Sequence, residues 1–283
     1  MTETGFVRPD AALVDELATE ALRAAGAPTD QGVWTRIDHG SVNLIVLSGD
    51  VAVRVTRSPE SVPQLLREQR LVDRLPDLPF AVPRSVGEPV LMGGIAAVAQ
   101  RRLPGAPHPS GGGDPRQLRA VLDAIHSVPL DPVRDDLAPA RSFMGGARWF
   151  EVMTDQAIPL LARDAQAPAR RAADGLAALD PVRPVLVHGD LAGANVLWEN
   201  GRISGVLDWD LASADDQAED VAALGNWHGW EQIAQAADAH VVERARAFAA
   251  TYPLQVICFA LLNARPLGEV ARAVASANAR LLS

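Results

Sequence analysis

The chain has 283 residues, 48% of them hydrophobic, with 26 basic side chains against 35 acidic ones and a net charge of −9. This length allows one large domain or two lobes sharing a cleft, and the acidic balance argues against nucleic acid or an anionic membrane as partner, since both reward clustered Lys and Arg. The single cysteine, Cys258, excludes an internal disulfide and a cysteine-based metal site, and its apolar run 256–262 is too short to span a bilayer.

In chain order, residues 11–25 have helical spacing, with Leu13, Leu17, Ala18 and Leu22 near one face. Residues 33–38 read as a strand and residues 39–43 as a turn. Short apolar strands follow over 44–47 and 51–56 around Ser48-Gly49-Asp50, which has hairpin chemistry. A helix is expected over 61–75, then strands near 85–90 and 95–101. The composition changes at the Pro/Gly-rich stretch 104–113. Beyond it the pattern is mostly helical: 116–126, 146–161, 165–179, 218–224, roughly 231–252 in one piece or broken, 254–263 and 267–282. The expected class is α+β, with residues 1–102 as a small sheet-and-helix lobe and 103–283 as a larger helical one. The first residues lack the charged-then-apolar pattern of a secretory signal, so a cytoplasmic protein, monomer or homodimer, is expected.

The helical pattern is interrupted by the segment that carries the chemistry. His188-Gly189-Asp190 follows the strand-like 184–187, and Asn195 comes five residues after Asp190. A hairpin turned at Asn200-Gly201 then leads to Asp208, eighteen residues after Asp190. Asp190 can take a proton from a hydroxyl, and Asn195 and Asp208 are oxygen ligands of the kind Mg²⁺ prefers. Alone, each is a turn or capping residue; at this spacing the three together form a phosphoryl-transfer constellation. His188 reads as a prop for the loop and His126 as a supporting residue. Asp220 is either an anchor that accepts loop N–H bonds or a simple helix-start charge.

Gly40-Ser41-Val42-Asn43, between two strands, can fold over phosphates with its N–H groups and the Ser41 hydroxyl, or be only a turn. Arg54 lies mid-strand among β-branched residues and wants a partner. Glu68 in the next helix is a candidate, which would hold the cation at a nucleotide's phosphates. The alternative is that Arg54 faces solvent and Glu68 is an ordinary surface charge. Residues 99–105, with Arg101 and Leu103, form a linker whose backbone can meet a purine edge.

His188-Gly189-Asp190, Asn195 and Asp208-Trp209-Asp210, with Arg54, Glu68, Leu103-Pro104-Gly105 and Ile125-His126-Ser127, resemble the aminoglycoside phosphotransferase family of antibiotic kinases. The resemblance spans about residues 37–224. It implies a bilobal protein-kinase-like fold, with ATP or GTP and Mg²⁺ as cofactors and transfer of the γ-phosphoryl to a hydroxyl of a small antibiotic. In that frame Asp190 is the catalytic base and Asn195 and Asp208 are the metal ligands. Ser41, Asn43, Arg54, Glu68, Arg101 and Leu103 sit on the nucleotide. Arg54 departs from the commoner lysine, keeping the charge but needing more room. Residues 190–199, 204–206 and 218–220 look most like the tuberactinomycin (viomycin, capreomycin) kinases, with macrolide kinases also similar.

Asp210, Asp215, Asp216 and Glu219 either face the cleft and favour a polycationic acceptor or form a solvated loop and helix start. Trp227, Trp230 and Phe259 either line an apolar wall or belong to the core. The competing activities are macrolide phosphorylation and a kinase for a small metabolite such as an amino alcohol or a sugar.

Overall fold

The computed structural model describes residues 9–37 and 43–282; Ser41 and most of its turn lie outside them. The chain divides into two compact units. The first runs to Ala106 and adds Pro132–Asp136 and Leu197–Asp210; the second comprises Pro107–Asp131, Leu137–Val196 and the chain from Leu211.

The first unit is an antiparallel five-stranded sheet in the order β1-β2-β3-β5-β4, made of β1 (Thr35–Ile37), β2 (Asn43–Ser48), β3 (Val51–Thr56), β4 (Val90–Met92) and β5 (Ile95–Arg101). Gly49, with φ of 58°, takes the left-handed conformation that the two-residue link between β2 and β3 demands. Alternation along the strands separates two faces. Val51, Val53 and Val55 pack with Ile95, Ala97 and Ala99 under Val14, Leu17, Ala18 and Leu22 of α1 (Ala11–Ala24). On the other face Ala96 and Val98 meet Leu65 of α2 (Val62–Arg74). Each buried Val or Leu on these faces contributes about 1.5–3 kcal/mol relative to exposure.

The same unit holds the hairpin Val196–Glu199/Arg202–Val206 from Leu197 onward. Asn200 and Gly201 both have positive φ, 50° and 76°, as the tight Asn-Gly turn requires. The second hairpin strand is tied to Ala81, whose N–H donates to Ser204 O (2.9 Å) and whose carbonyl accepts from Val206 N–H (3.0 Å).

The second unit is helical around one antiparallel pair, Val185–Val187 with Ser213–Asp215. Its helices are α3 (Pro115–His126), Arg163–Ala177, Ala218–His228, Trp230–Ala236, Ala239–Ala250, Tyr252–Leu262 and Leu267–Leu281. Ile125, Leu118, Met153, Leu186, Leu191 and Phe248 are fully buried in it. Cys258 is buried too, and that burial pushes its thiol up to about 12. The architecture is α+β, and among the described residues no single helix is long and apolar enough to cross a membrane.

Two expected elements differ, and a third takes the broken form of its two expected alternatives. No strand spans 85–90: Ser85 makes one bridge to Gln100, and the strand begins only at Val90, after Gly87 and Pro89. The expected helix 146–161 is a chain of short turns, with a π-turn at Val152–Ala157. Gly145 and Gly146 sit at positive φ at its start, and Pro159 removes an N–H near its end. The helix near 231–252 is broken where Ala237 and Asp238 take extended backbone.

Candidate active site

The strand period places Arg54 on the α2 face. Val53 and Val55 point to α1, so Arg54, opposite Val98, points the other way. On α2, Glu68 lies one turn beyond Leu65 on the same face. The two side chains form an ion pair, with Arg54 11% exposed and Glu68 1%. Arg54 Nη2 also lies 3.3 Å from Asp208 Oδ1. Burial by itself would lower the Arg54 pKa, but Glu68 and Asp208 outweigh it and hold it raised. Burial raises the Glu68 carboxyl against the pull of Arg54. The solvent-facing alternative for both residues is therefore overturned: a mid-strand cation on a packed face needs a buried counter-charge.

Asp208 is a non-glycine residue at φ of 61°, a costly conformation held from both sides. After it, the Trp209 indole is fully buried and donates to Val206 O (3.1 Å). Asp210 accepts Gln64 Nε2 at its side chain (2.9 Å) and Arg67 Nη2 at its carbonyl (2.7 Å). Sequence reading missed Gln64 and Arg67. The available signal was their place one turn apart on α2, beside Glu68.

Of the other nucleotide candidates, Asn43 opens β2 opposite Thr56. Its side-chain oxygen is buried with no hydrogen-bond partner among the described residues. Arg101 ends β5 with an exposed side chain 3.8 Å from Asp50, and its own N–H donates to Arg84 O (2.9 Å). Leu103 is buried. Ser41 lies outside the described residues.

In the second unit, the strand Val185–Val187 delivers His188, Gly189 and Asp190 to a loop fixed by Asp220. Asp220 accepts the N–H of His188 (3.0 Å) and of Gly189 (3.1 Å), and His126 Nε2 lies 3.1 Å from the same carboxylate. His188 Nδ1 accepts the Asp190 N–H (3.3 Å). So His188 and His126 are props, and Asp220 is the loop's anchor. Gly189, at φ of 80°, leaves room for Leu211 O, which a Cβ would meet at 2.5 Å. At Gly193 a Cβ would overlap the Trp227 indole.

Asn195 Nδ2 donates to Asp190 O (2.9 Å) and to Asp190 Oδ2 (3.0 Å). This fixes the carboxylate's orientation and turns the amide nitrogen of Asn195 toward Asp190, with the amide oxygen as its remaining acceptor atom.

Asp190 opens on a cavity of about 240 Å³ within this unit, lined also by Glu219, Trp227, Tyr252, Phe143 and Arg280. Two of the clustered acids turn away from it into ion pairs: Asp215 with Arg141 (3.0 Å) and Asp216 with Arg244 (2.6 Å). Neither they nor Asp210 form the solvated loop expected of such a run. Glu219 stays on the cavity, its Oε2 buried without a hydrogen-bond partner among the described residues. Burial, reinforced by Asp215 and Asp220, raises its carboxyl well above the ordinary 4.5. Tyr252 is raised by burial and by Glu219, Asp220 and Asp190, so its phenol keeps its proton. Trp227 lines the cavity and donates to His108 O (2.9 Å), whereas Trp230 lies under Arg246 and Phe259 stacks on Phe143. Phe143 had no signal in the sequence, being brought to the cavity by a short turn.

Glu219 has a consequence for stability. Below about pH 4.5 its carboxyl is neutral in both folded and unfolded chains. Above that value the unfolded chain releases the proton more readily, so stability is lost as pH rises towards the folded value. Glu219→Gln is expected to stabilise the protein by about 1–2 kcal/mol at pH 8, with the gap closing by pH 4. Thermal unfolding at the two pH values checks this, and an unchanged Tm at pH 8 counts against a costly buried charge.

The sequence model of the phosphotransferase enzyme family (APH) matches residues 33–254. Viomycin phosphotransferase of Streptomyces vinaceus is 37% identical over 125 residues, a stretch covering 40% of this chain and 44% of that protein. The chain thus matches less than half the length of this relative. Among solved structures, macrolide 2′-phosphotransferase MphH from Brachybacterium faecium superposes with a TM-score of 0.72 at 21% identity, covering 92% of this chain and 97% of that one. The GDP complex of aminoglycoside 2′-phosphotransferase-IIIa gives 0.75 at 17% identity, covering 94% and 97%. These likenesses show the fold, and the family match covers most of the sequence: the chain belongs to the phosphotransferase enzyme family.

Proposed function

We propose that the protein transfers the γ-phosphoryl group of ATP or GTP to a hydroxyl of a small antibiotic, in first place a cationic one such as a tuberactinomycin peptide or an aminoglycoside. The observation that carries this reading is the Asp190 carboxylate, oriented by Asn195 on a loop pinned by Asp220 and opening on a cavity lined by acidic and aromatic side chains. The viomycin-modifying relative supports the acceptor class.

In this reading Asp190 accepts the hydroxyl proton as the acceptor oxygen bonds to the γ-phosphorus and the bond to the β-phosphate oxygen breaks. Arg54, neutralised and held by Glu68, meets the phosphates. Asn43, Arg101 and Leu103 are proposed along the nucleotide, and Ser41 with them. The Asn195 amide oxygen and the Asp208 carboxylate are oxygen donors suited to a hard cation, which fits Mg²⁺. When bound, Mg²⁺ offsets the charge on the β- and γ-phosphoryl oxygens. A nucleotide donor places the work in the cytoplasm. The aromatic wall of Trp227, Tyr252 and Phe143 favours a macrolide as the second acceptor class.

The test is nucleoside diphosphate release from ATP and from GTP, with Mg²⁺, against viomycin, kanamycin and erythromycin. One acceptor class is expected to raise release well above the blank, and Asp208→Ala to cut it by about 10²-fold or more. No acceptor-dependent release would sink the antibiotic reading. Unaltered Mg²⁺-dependent turnover in Asp208→Ala would sink the metal assignment.

A further inference from the structure

The half-buried acid on the cavity, whose Oε2 is fully shielded, is left over by this reading. Glu219 sits in the first turn of the helix Ala218–His228, and the phosphoryl-transfer chemistry does not use it. Its neighbours on that element and on the strand before it, Asp215, Asp216 and Asp220, are each held by other groups: Arg141, Arg244, and the His188 and Gly189 N–H groups with His126. Arg141 helps stabilise its charge, and that guanidinium is bound to Asp215. Among the described residues Arg280 is the cation on the cavity wall, and it is exposed. Among the described residues Glu219 Oε2 is therefore a shielded acceptor without a donor, on the wall that Asp190 shares. Such an atom is costly until a ligand supplies a charged donor. Trp227, Tyr252 and Phe143 add aromatic rings, which attract a cation.

We propose that Glu219, with Trp227 and Tyr252, forms a cation-recognition subsite beside Asp190 that takes an ammonium or guanidinium group of the acceptor. This rests on the reading of the cavity as the acceptor site. It makes Glu219 a specificity-determining residue: the acceptor offers its hydroxyl to Asp190 and its cation to Glu219. Of the run of acids, one side chain does the selecting while Asp215 and Asp216 hold structure.

The experiment is equilibrium titration of the full chain with viomycin, kanamycin and per-N-acetylated kanamycin, in wild type, Glu219→Gln and Glu231→Gln. Glu231 is exposed on the next helix, so its variant controls for net charge. At least one of the two cations is expected to bind the wild type and Glu231→Gln alike, and Glu219→Gln roughly 30-fold more weakly. The acetylated compound should bind the wild type weakly and lose little more in Glu219→Gln. Equal binding by wild type and Glu219→Gln, or no binding of either cation to the wild type, overturns the proposal. Should Glu219→Gln fail to fold, equal wild-type affinity for kanamycin and its acetylated form overturns it. Cation binding without phosphoryl transfer would defeat the kinase reading alone, and transfer indifferent to Glu219→Gln would defeat the subsite alone.

Discussion

Asp190→Ala is expected to lower acceptor turnover by about 10³-fold or more while leaving nucleotide affinity within a factor of about two. The loop should survive the change. Asn195 keeps its 2.9 Å bond to the residue-190 carbonyl, and Asp220 still holds the N–H groups of residues 188 and 189. What disappears is the carboxylate proposed to accept the hydroxyl proton. Arg54, Glu68 and Asp208, proposed to meet phosphates and metal, are untouched. The loss therefore falls on kcat, and Tm should stay within about 2 °C. Steady-state kinetics with a parallel nucleotide titration read both quantities. Persistent turnover in Asp190→Ala would mean that another group takes the proton, and lost nucleotide binding would mean that the residue had been given the wrong half of the chemistry.

The second large effect falls on the Arg54–Glu68 pair. Glu68→Ala removes the buried partner of a buried guanidinium and leaves it Asp208 at 3.3 Å and the more distant Asp210. Breaking a buried pair from one side costs about 3–5 kcal/mol, because the remaining charge is uncompensated. For a protein of this size that is about 5–8 °C in Tm. Replacing both partners by apolar residues of similar volume, Arg54→Met with Glu68→Leu, should recover most of the stability, since the desolvation of both charges is relieved together. The double variant should nevertheless bind ATP and GTP at least about tenfold more weakly, having no cation for the phosphates. Thermal unfolding and nucleotide titration on the wild type and the two variants separate the two roles. A double variant that is stable and binds nucleotide normally would make the pair purely structural.

How much of this could be read from sequence follows from how local each signal is. The Asn200-Gly201 turn and the β2–β3 hairpin were legible, because a positive φ at a short link admits few residues. Both strands lie within a residue of expectation. The His188 and Asp220 props were also open to reading, as polar residues bordering apolar runs. The fate of the acid run was not. Asp215, Asp216 and Glu219 look alike in sequence, and only the distant Arg141 and Arg244 decide which are paired and which is left on the cavity. Gly193 is a similar case: it reads as loop flexibility, but its absent Cβ is the space occupied by Trp227. The helix expected over 146–161 failed for a local reason underweighted in the periodicity, namely Gly145, Gly146 and Pro159 at its two ends.

The proposed reaction carries a phosphoryl group from the nucleotide to an acceptor hydroxyl. Following a γ-phosphorus label from ATP and GTP, with Mg²⁺, in the presence of viomycin, kanamycin or erythromycin reads that transfer itself. Label is expected on one acceptor class with wild type and none with Asp190→Ala; label found only in inorganic phosphate, or remaining in the nucleotide with every acceptor, would overturn the reaction.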